Sequence, residues 1–102
     1  MIGQYNVITL CGSSRFKEEF ERINKELTLA GNIVISLGVW GHSGDVFSEA
    51  DKIMLDDIHK RKIDMADAIY VINKNGYIGE STKSEIKYAF EHHKAVMFME
   101  AP

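Results

Sequence analysis

The chain has 102 residues, of which 45% are hydrophobic and 26% charged. This length and composition predict one folded domain over residues 1–102 rather than a disordered segment. The net charge of −3, with basic residues interleaved among acidic ones, argues against polymeric nucleic acid or an anionic membrane as a partner. No apolar run approaches the roughly 20 residues of a membrane span, and Met1–Leu10 lacks a signal-peptide pattern, so we expect a cytoplasmic protein. The single cysteine, Cys11, fits a reducing compartment and is expected to be a buried structural thiol.

The first third of the chain predicts a βαβ unit. The apolar run Val7–Cys11 is typical of a strand, and Gly12-Ser13-Ser14 closes it with a tight turn. Apolar residues then recur at three- and four-residue spacing, which predicts an amphipathic helix carrying Phe16, Phe20, Ile23, Leu27 and Ala30. Gly31-Asn32 suits a left-handed helix cap, and the second strand follows at Ile33–Leu37. Such a unit predicts parallel strands.

The middle of the chain predicts a loop and a second helix. Gly38–Phe47 has three glycines and no periodicity, so we interpret it as a loop. Ser48-Glu49-Ala50-Asp51 resembles a helix start, and the helix should end near Asp64–Ala66. The spacing predicts that its inward residues are Leu55, Ile58 and Met65, and that its four-apart ion pairs are Asp56–Lys60 and Asp57–Arg61.

The remaining elements complete an alternating pattern. A third strand is predicted at Ala68–Asn73, a third helix at about Thr82–His93 and a last strand at Ala95–Met99. Four strands alternating with three helices predict an α/β fold, a doubly wound Rossmann- or flavodoxin-like sheet of about four mostly parallel strands with helices on both faces. In such sheets ligands bind beyond the carboxyl ends of the strands, where the strand order reverses. The loops Gly12–Arg15, Gly38–Phe47 and Asn73–Thr82 should meet there.

The first loop is a candidate phosphate site. Gly12, Ser13 and Ser14 place small residues and hydroxyls at a helix N-terminus, and Arg15 adds a guanidinium. The motif is neither a Walker loop nor the dinucleotide-binding glycine pattern. A serine N-cap beside a surface arginine explains the same residues equally well.

Aromatic and histidine residues are candidates for substrate binding. Trp40 or Tyr77 could stack on a nucleobase and His42 could bind a sugar or phosphate, but for Trp40 the pattern favours a lid that packs on the core. His59 falls on the second helix, where a buried, hydrogen-bonded histidine and a catalytic histidine are both compatible with the pattern. No Cys/His spacing is typical of zinc and no Asp-rich loop suggests calcium, so we expect no metal and no cofactor.

Glu85 is the candidate nucleophile. It follows a glycine-containing loop and is predicted to lie in the first turn of the third helix, where backbone amides and the helix dipole favour an ionised carboxylate. Thr82-Lys83-Ser84-Glu85 also fits a capping box, in which Glu85 only folds back onto the Thr82 amide.

Three stretches, in this order, resemble the nucleoside 2-deoxyribosyltransferase-like superfamily, which includes deoxynucleoside 5'-monophosphate N-glycosidases. They are Leu10-Cys11-Gly12-Ser13-Ser14-Arg15, Ala66-Asp67-Ala68-Ile69-Tyr70-Val71, and Gly79-Glu80-Ser81-Thr82 followed by Glu85, Ile86 and Ala89. The resemblance spans nearly the whole chain.

The resemblance implies a nucleoside or nucleotide N-glycosidase or 2-deoxyribosyltransferase that forms a glycosyl-enzyme intermediate on Glu85. It assigns the sugar phosphate to Gly12, Ser13, Arg15 and Ser81, and Ser14, Gly79 and Thr82 are further candidates for substrate binding. The family usually has an aspartate at the register of His59, with Asp56 and Asp57 slightly earlier here, which leaves the proton donor open between these residues. The resemblance also implies a homodimer. The alternative is a nucleotide-binding sensor of the same fold that performs no turnover.

Overall fold

The computed structural model describes residues 1–41 and 46–102. The strands are β1 (Val7–Gly12), β2 (Ile33–Ile35), β3 (Ala68–Ile72) and β4 (Ala95–Phe98). The helices are α1 (Lys17–Leu29), α2 (Glu49–Asp64) and α3 (Glu80–Glu91), and short 3-10 turns lie at Ser14–Phe16 and Lys74–Gly76. In the described part of the chain no helix combines the length and the apolar character needed to cross a membrane.

The four strands form one parallel sheet in the order β2-β1-β3-β4. Val7 pairs with Ile33 of β2, and Ile8 pairs with Ala68 of β3, which in turn pairs with Ala95 of β4. The predicted α/β class with parallel strands is therefore confirmed. Because the chain moves from β1 to β2 on one side and then to β3 on the other, the strand order reverses between β1 and β3.

Helix α1 packs on one face of the sheet, as its periodicity predicts. Its inward residues Phe20 and Ile23 are buried against Leu10 of β1 and Ile72 of β3. The helix is followed by Gly31, whose φ of +97° is the left-handed conformation predicted for a cap.

Helices α2 and α3 pack on the other face. Ile63 of α2 and Ala89 of α3 are buried against Cys11, Ile69 and Val71 of the sheet. Because successive residues of a strand point to opposite faces, Leu10 faces α1 while Cys11 faces α2 and α3.

The inward face of α2 differs from the prediction. Ile58 and Met65 are exposed, and the buried positions are His59 and Ile63, with Leu55 half-buried. Leu55, His59 and Ile63 follow the four-residue spacing of one helix face, but the apolar pattern hides it because the central member is a histidine. The expectation for Ile58 and Met65 was wrong for this reason.

The start of α2 agrees with the sequence signal. Ser48 is the N-cap and forms a complete capping box with Asp51. The predicted pair of Asp56 with Lys60 is present at 2.9 Å. Arg61 instead pairs with Asp64 at 3.4 Å.

The loop after β3 is fixed to the end of β4 through Asn73 and Glu100. The Asn73 amide donates to the Glu100 carbonyl at 3.0 Å, and its Oδ1 accepts from the Glu100 amide at 2.8 Å. The Asn75 amide donates to the Glu100 carboxylate at 2.8 Å. These bonds position the segment that leads through Tyr77 into α3.

Candidate active site

A cavity of about 500 Å³ lies at the carboxyl ends of β1 and β3. Each of the three predicted loops contributes to its wall, with Gly12–Arg15 from the first, Gly38, Val39, Gly41 and Phe47 from the second, and Tyr77 and Gly79–Thr82 from the third. Side chains of α2 and α3, among them Asp56, His59 and Glu85, complete it. The volume falls within the roughly 300–1,000 Å³ typical of small-molecule sites.

Arg15 and Tyr77 stack on each other at the cavity wall. The guanidinium carbon lies 4.3 Å from the centre of the Tyr77 ring, and Phe16 meets the same ring edge-on at 6.0 Å. A cation over an aromatic face is an attractive contact that holds the guanidinium in place. The first and third loops are thereby joined across the cavity.

Some polar groups of the first loop form hydrogen bonds within the loop itself. Ser13 Oγ accepts from the Arg15 amide at 3.3 Å, and the Ser13 carbonyl accepts from the Phe16 amide at 3.0 Å. The serine cap predicted as the alternative is therefore present, although it caps a 3-10 turn rather than α1 itself. The cap coexists with a cavity-lining Arg15, so the two interpretations are compatible.

Position 12 requires a glycine because the backbone of β3 lies too close for a side chain. Its φ is +156°, and a Cβ at this position would lie 2.9 Å from the Ile72 carbonyl oxygen. Backbone of β3 cannot move away from such a contact without breaking sheet hydrogen bonds. The glycine thus allows the first loop to leave β1 directly beside β3.

Helix α3 begins earlier than predicted. Gly79 is its N-cap and Glu80 its first residue, and no side chain caps the helix start. Glu85 consequently lies in the second turn, so both the first-turn placement and the capping-box role were wrong. The Thr82 hydroxyl suggested that the helix starts at Thr82, but the glycine-containing loop ends earlier, at Gly79. Thr82 is instead buried in the cavity wall.

Glu85 and His59 meet at the inner end of the cavity. Glu85 Oε1 lies 3.6 Å from His59 Nε2, and only 8% and 6% of these residues are exposed. His59 Nε2 also lies 3.4 Å from Cys11 Sγ, and the thiol is fully buried. Three elements, β1, α2 and α3, thus bring a thiol, an imidazole and a carboxyl group together.

Burial disfavours the charged forms of Glu85 and His59 and shifts both of their pKa values. It raises the pKa of Glu85 from 4.5 to about 8, and nearby Asp56 adds to the effect. It lowers the pKa of His59 from 6.5 to about 4, with a further contribution from the charge of Lys62. The expectation that Glu85 is ionised in the free protein was therefore wrong at neutral pH, because desolvation outweighs the helix dipole in the second turn.

Cys11 is not arranged as a nucleophile. Burial raises the pKa of its thiol well above 9.0, and Glu85 raises it further. Cys11 and Glu85 also approach the same imidazole nitrogen, whereas a base in a catalytic triad uses one nitrogen for the nucleophile and the other for the carboxylate. The sequence expectation of a buried thiol agrees with this placement.

The remaining candidate residues are divided between the cavity and other surfaces. Ser13, Ser14, Gly79 and Ser81 line the cavity with those already described. Trp40 and Asp57 are not among the described residues that do so. Trp40 packs edge-on against Phe20 at 5.2 Å on the α1 face, and Asp57 is exposed. His42 lies outside the described residues.

Two residues of the site had no clear sequence signal. Lys62 lines the cavity and donates to the Ser36 carbonyl at 2.8 Å, which connects α2 to the segment after β2. Cys11 was predicted to be structural and not to lie beside Glu85. Side chains alternate between the two faces of the sheet along β1, and His59 points inward from α2. These two features together would have placed Cys11 beside His59 and Glu85.

A scan of the chain against protein-family models finds no match, and a search of curated proteins finds none either. The family resemblance therefore remains a prediction from the three motifs.

Proposed function

We propose that the chain is an N-glycosidase or 2-deoxyribosyltransferase that acts on a nucleoside or nucleoside 5'-monophosphate. The observation that carries the proposal is one cavity lined both by the Gly12–Arg15 loop and by the buried carboxyl of Glu85. The Arg15 guanidinium is suited to bind a phosphate. The Glu85 carboxyl, which is shielded from water, is suited to attack a sugar carbon.

In the proposed reaction Glu85 first transfers its proton to His59 Nε2, 3.6 Å away. The resulting carboxylate attacks the anomeric carbon, and the electrons of the glycosidic bond leave with the base. The protonated His59 returns its proton to the base, so charge is never left unpaired in the buried site. Water or a second base then attacks the same carbon and releases Glu85.

This scheme assigns the proton donor to His59 rather than to Asp57. His59 is buried in the cavity wall beside Glu85, whereas the Asp57 side chain is exposed and does not line the described part of the cavity. Asp56 does line it and pairs with Lys60 at 2.9 Å. Asp56 accordingly acts on Glu85 through its charge, which adds to the effect of burial in raising the pKa of that carboxyl.

A nucleotide-binding module without turnover is the second candidate. It is favoured by the pKa of about 8 at Glu85, because a protonated carboxyl binds a sugar hydroxyl but does not attack its carbon. In this case the cavity and Arg15 serve recognition alone.

The proposed partner of the chain is a second copy of itself. Helix α2 and its C-cap residue expose an apolar stripe along one helix face, formed by Met54, Ile58 and Met65. A cytoplasmic location fits both the nucleotide substrate and the single free cysteine.

The experiment that tests the function is a release assay. The protein is incubated with matched nucleosides and nucleoside 5'-monophosphates of ribose and deoxyribose, and the free base is measured by chromatography while thermal stability is followed in parallel. Base release from at least one substrate is expected for the enzyme. Stabilisation without release identifies the binding module, and neither effect with any ligand refutes both candidates.

A further inference from the structure

The group at the inner end of the cavity has the composition of a metal site. Cys11, His59 and Glu85 each offer one ligand atom, and these atoms lie within 4.8 Å of one another. They come from β1, α2 and α3, so the fold, and not a short sequence motif, assembles the group. This explains why no ligand spacing typical of zinc is visible in the sequence.

Two of the three ligand–ligand distances match a tetrahedral coordination shell. Zinc bonds of about 2.3 Å to sulfur and about 2.0–2.2 Å to nitrogen and oxygen place neighbouring ligand atoms roughly 3.3–3.6 Å apart. Cys11 Sγ and His59 Nε2 are 3.4 Å apart, and His59 Nε2 and Glu85 Oε1 are 3.6 Å apart. Both of these distances fall in that range, and the third, between Cys11 Sγ and a Glu85 carboxylate oxygen, is at most 4.8 Å.

We propose that Cys11, His59 and Glu85 form a three-ligand site for a divalent transition-metal ion of the zinc class, with its fourth position facing the cavity. Thiolate, imidazole and carboxylate together select such an ion over magnesium or calcium. His59 and Glu85 line the cavity and Cys11 lies fully buried behind them, so the open position points toward bound ligands. Three protein ligands with one exchangeable position are typical of catalytic zinc sites.

The charges of the proposed ligands balance the charge of the ion. Cys11 as a thiolate and Glu85 as a carboxylate together offset the charge of +2, and His59 supplies a neutral imidazole nitrogen as the third ligand.

Metal and sugar compete for the same carboxylate. A coordinated Glu85 shares its negative charge with the metal and is a weaker nucleophile toward an anomeric carbon, so the ion acts as an inhibitor if Glu85 is the nucleophile. The site itself does not depend on that function, and its test uses readouts other than base release.

The test is a titration of untagged, metal-stripped protein with Co²⁺ followed by absorption spectroscopy. Cys11 is the only cysteine of the chain, so a thiolate-to-cobalt charge-transfer band reports on this residue alone. We expect this band, intense visible bands of four- or five-coordinate cobalt, saturation at one ion per chain, and loss of the spectrum on adding Zn²⁺.

Variants assign the ligands. Cys11→Ser should abolish the charge-transfer band, and His59→Gln and Glu85→Gln should each weaken Co²⁺ binding by about tenfold or more. Asp57→Asn, which changes an exposed carboxylate on the same helix, is the matched control and should bind as the parent does. The glutamine of Glu85→Gln resembles the protonated carboxyl in shape, so this variant should fold. Its affinity for Co²⁺ therefore tests the proposed site if Cys11→Ser does not fold. Absence of the band in the parent, or parent-like affinity in Glu85→Gln, would overturn the proposal.

Discussion

His59 Nε2 and Glu85 Oε1 lie 3.6 Å apart inside the protein, yet at neutral pH the two groups are not an ion pair. Burial lowers the pKa of the imidazole to about 4 and raises that of the carboxyl to about 8. The pair is thus a neutral acid beside a neutral base, and a single proton transfer converts it into opposite charges. Such a pair can supply a nucleophile and a proton donor together when the proton transfer accompanies attack on a bound substrate.

The first prediction concerns stability between pH 6.5 and 8. Glu85 has a higher pKa in the folded than in the unfolded chain, so the folded state binds more protons in this interval and stability falls as pH rises. His59 has the opposite effect, mostly between its folded pKa of about 4 and its unfolded value of 6.5, and only a small part of it remains above pH 6.5. The free energy of unfolding should therefore fall by about 1–2 kcal/mol from pH 6.5 to 8.

Glu85→Gln is the control for this dependence. Glutamine does not titrate, so denaturant unfolding of the variant should give nearly the same free energy at both pH values. At pH 6.5 the variant should lie within about 1 kcal/mol of the parent, because the amide replaces a protonated carboxyl of similar shape. A parent whose stability stays constant over the interval would contradict the raised pKa.

The second prediction concerns Gly12. An alanine Cβ would lie 2.9 Å from the Ile72 carbonyl oxygen, and the φ of +156° is unfavourable for it. Gly12→Ala should destabilise the fold by about 1–3 kcal/mol, measured by urea denaturation. Gly38→Ala is the matched control, since no atom of the described residues 1–41 and 46–102 lies within 4 Å of its Cβ, and it should change stability by less than about 0.5 kcal/mol.

The sequence predicts the fold well because strands and α1 have regular apolar patterns. The run Val7–Cys11 and the spacing of Phe20 and Ile23 identify their elements without ambiguity. Helix α2 is placed correctly by its Ser48 cap, but its inward face is not, because His59 occupies a core position. Local patterns do not reveal a polar residue whose burial is stabilised by partners on other elements.

The site was predictable only in part for a related reason. The three loops follow from topology, and the structure places them around one cavity. The ionisation of Glu85 does not follow from topology, because it depends on burial and on the charge of Asp56. The contact of Cys11 with His59 joins residues 48 positions apart, and only the packing of α2 on β1 creates it.

The third prediction concerns phosphate recognition by Arg15. Replacing Arg15 with alanine should weaken binding of a nucleoside 5'-monophosphate by roughly 1.5–3 kcal/mol, the range for a lost charged hydrogen bond, and leave nucleoside binding nearly unchanged. Isothermal titration calorimetry with both ligands measures the difference. Arg61→Ala removes an exposed arginine that pairs with Asp64 and serves as the control. Equal loss for nucleoside and nucleotide would show that Arg15 does not contact phosphate.

The fourth prediction concerns assembly through α2. Light scattering at tens of micromolar should give the mass of a homodimer, most simply with twofold symmetry. Met65 is 68% exposed, so Met65→Lys should leave the subunit folded and shift the population toward monomer. Leu29→Lys, a similar change at an exposed position of α1, should leave the dimer intact. A monomer mass for the parent would refute the assembly.

The last prediction concerns the role of Glu85 in catalysis. A helix cap is excluded as its role, because α3 begins at Glu80 with Gly79 as its N-cap. If Glu85 is the nucleophile, Glu85→Gln removes the oxygen anion that attacks the sugar, and base release should fall by several orders of magnitude. Its stability at pH 6.5 should change by no more than about 1 kcal/mol, so lost folding cannot account for lost activity.

Trapping the intermediate identifies the attacking atom directly. A 2-fluoro-deoxyribosyl substrate destabilises the oxocarbenium-like state and slows release of the sugar, so a covalent adduct should accumulate on the parent protein. Peptide mass spectrometry should locate it on Glu85, with none in Glu85→Gln. Asp56→Asn provides the contrasting variant, because Asp56 lines the same cavity but acts through its charge, and it should still form the adduct. An adduct on another residue, or an active Glu85→Gln protein, would show that Glu85 is not the nucleophile.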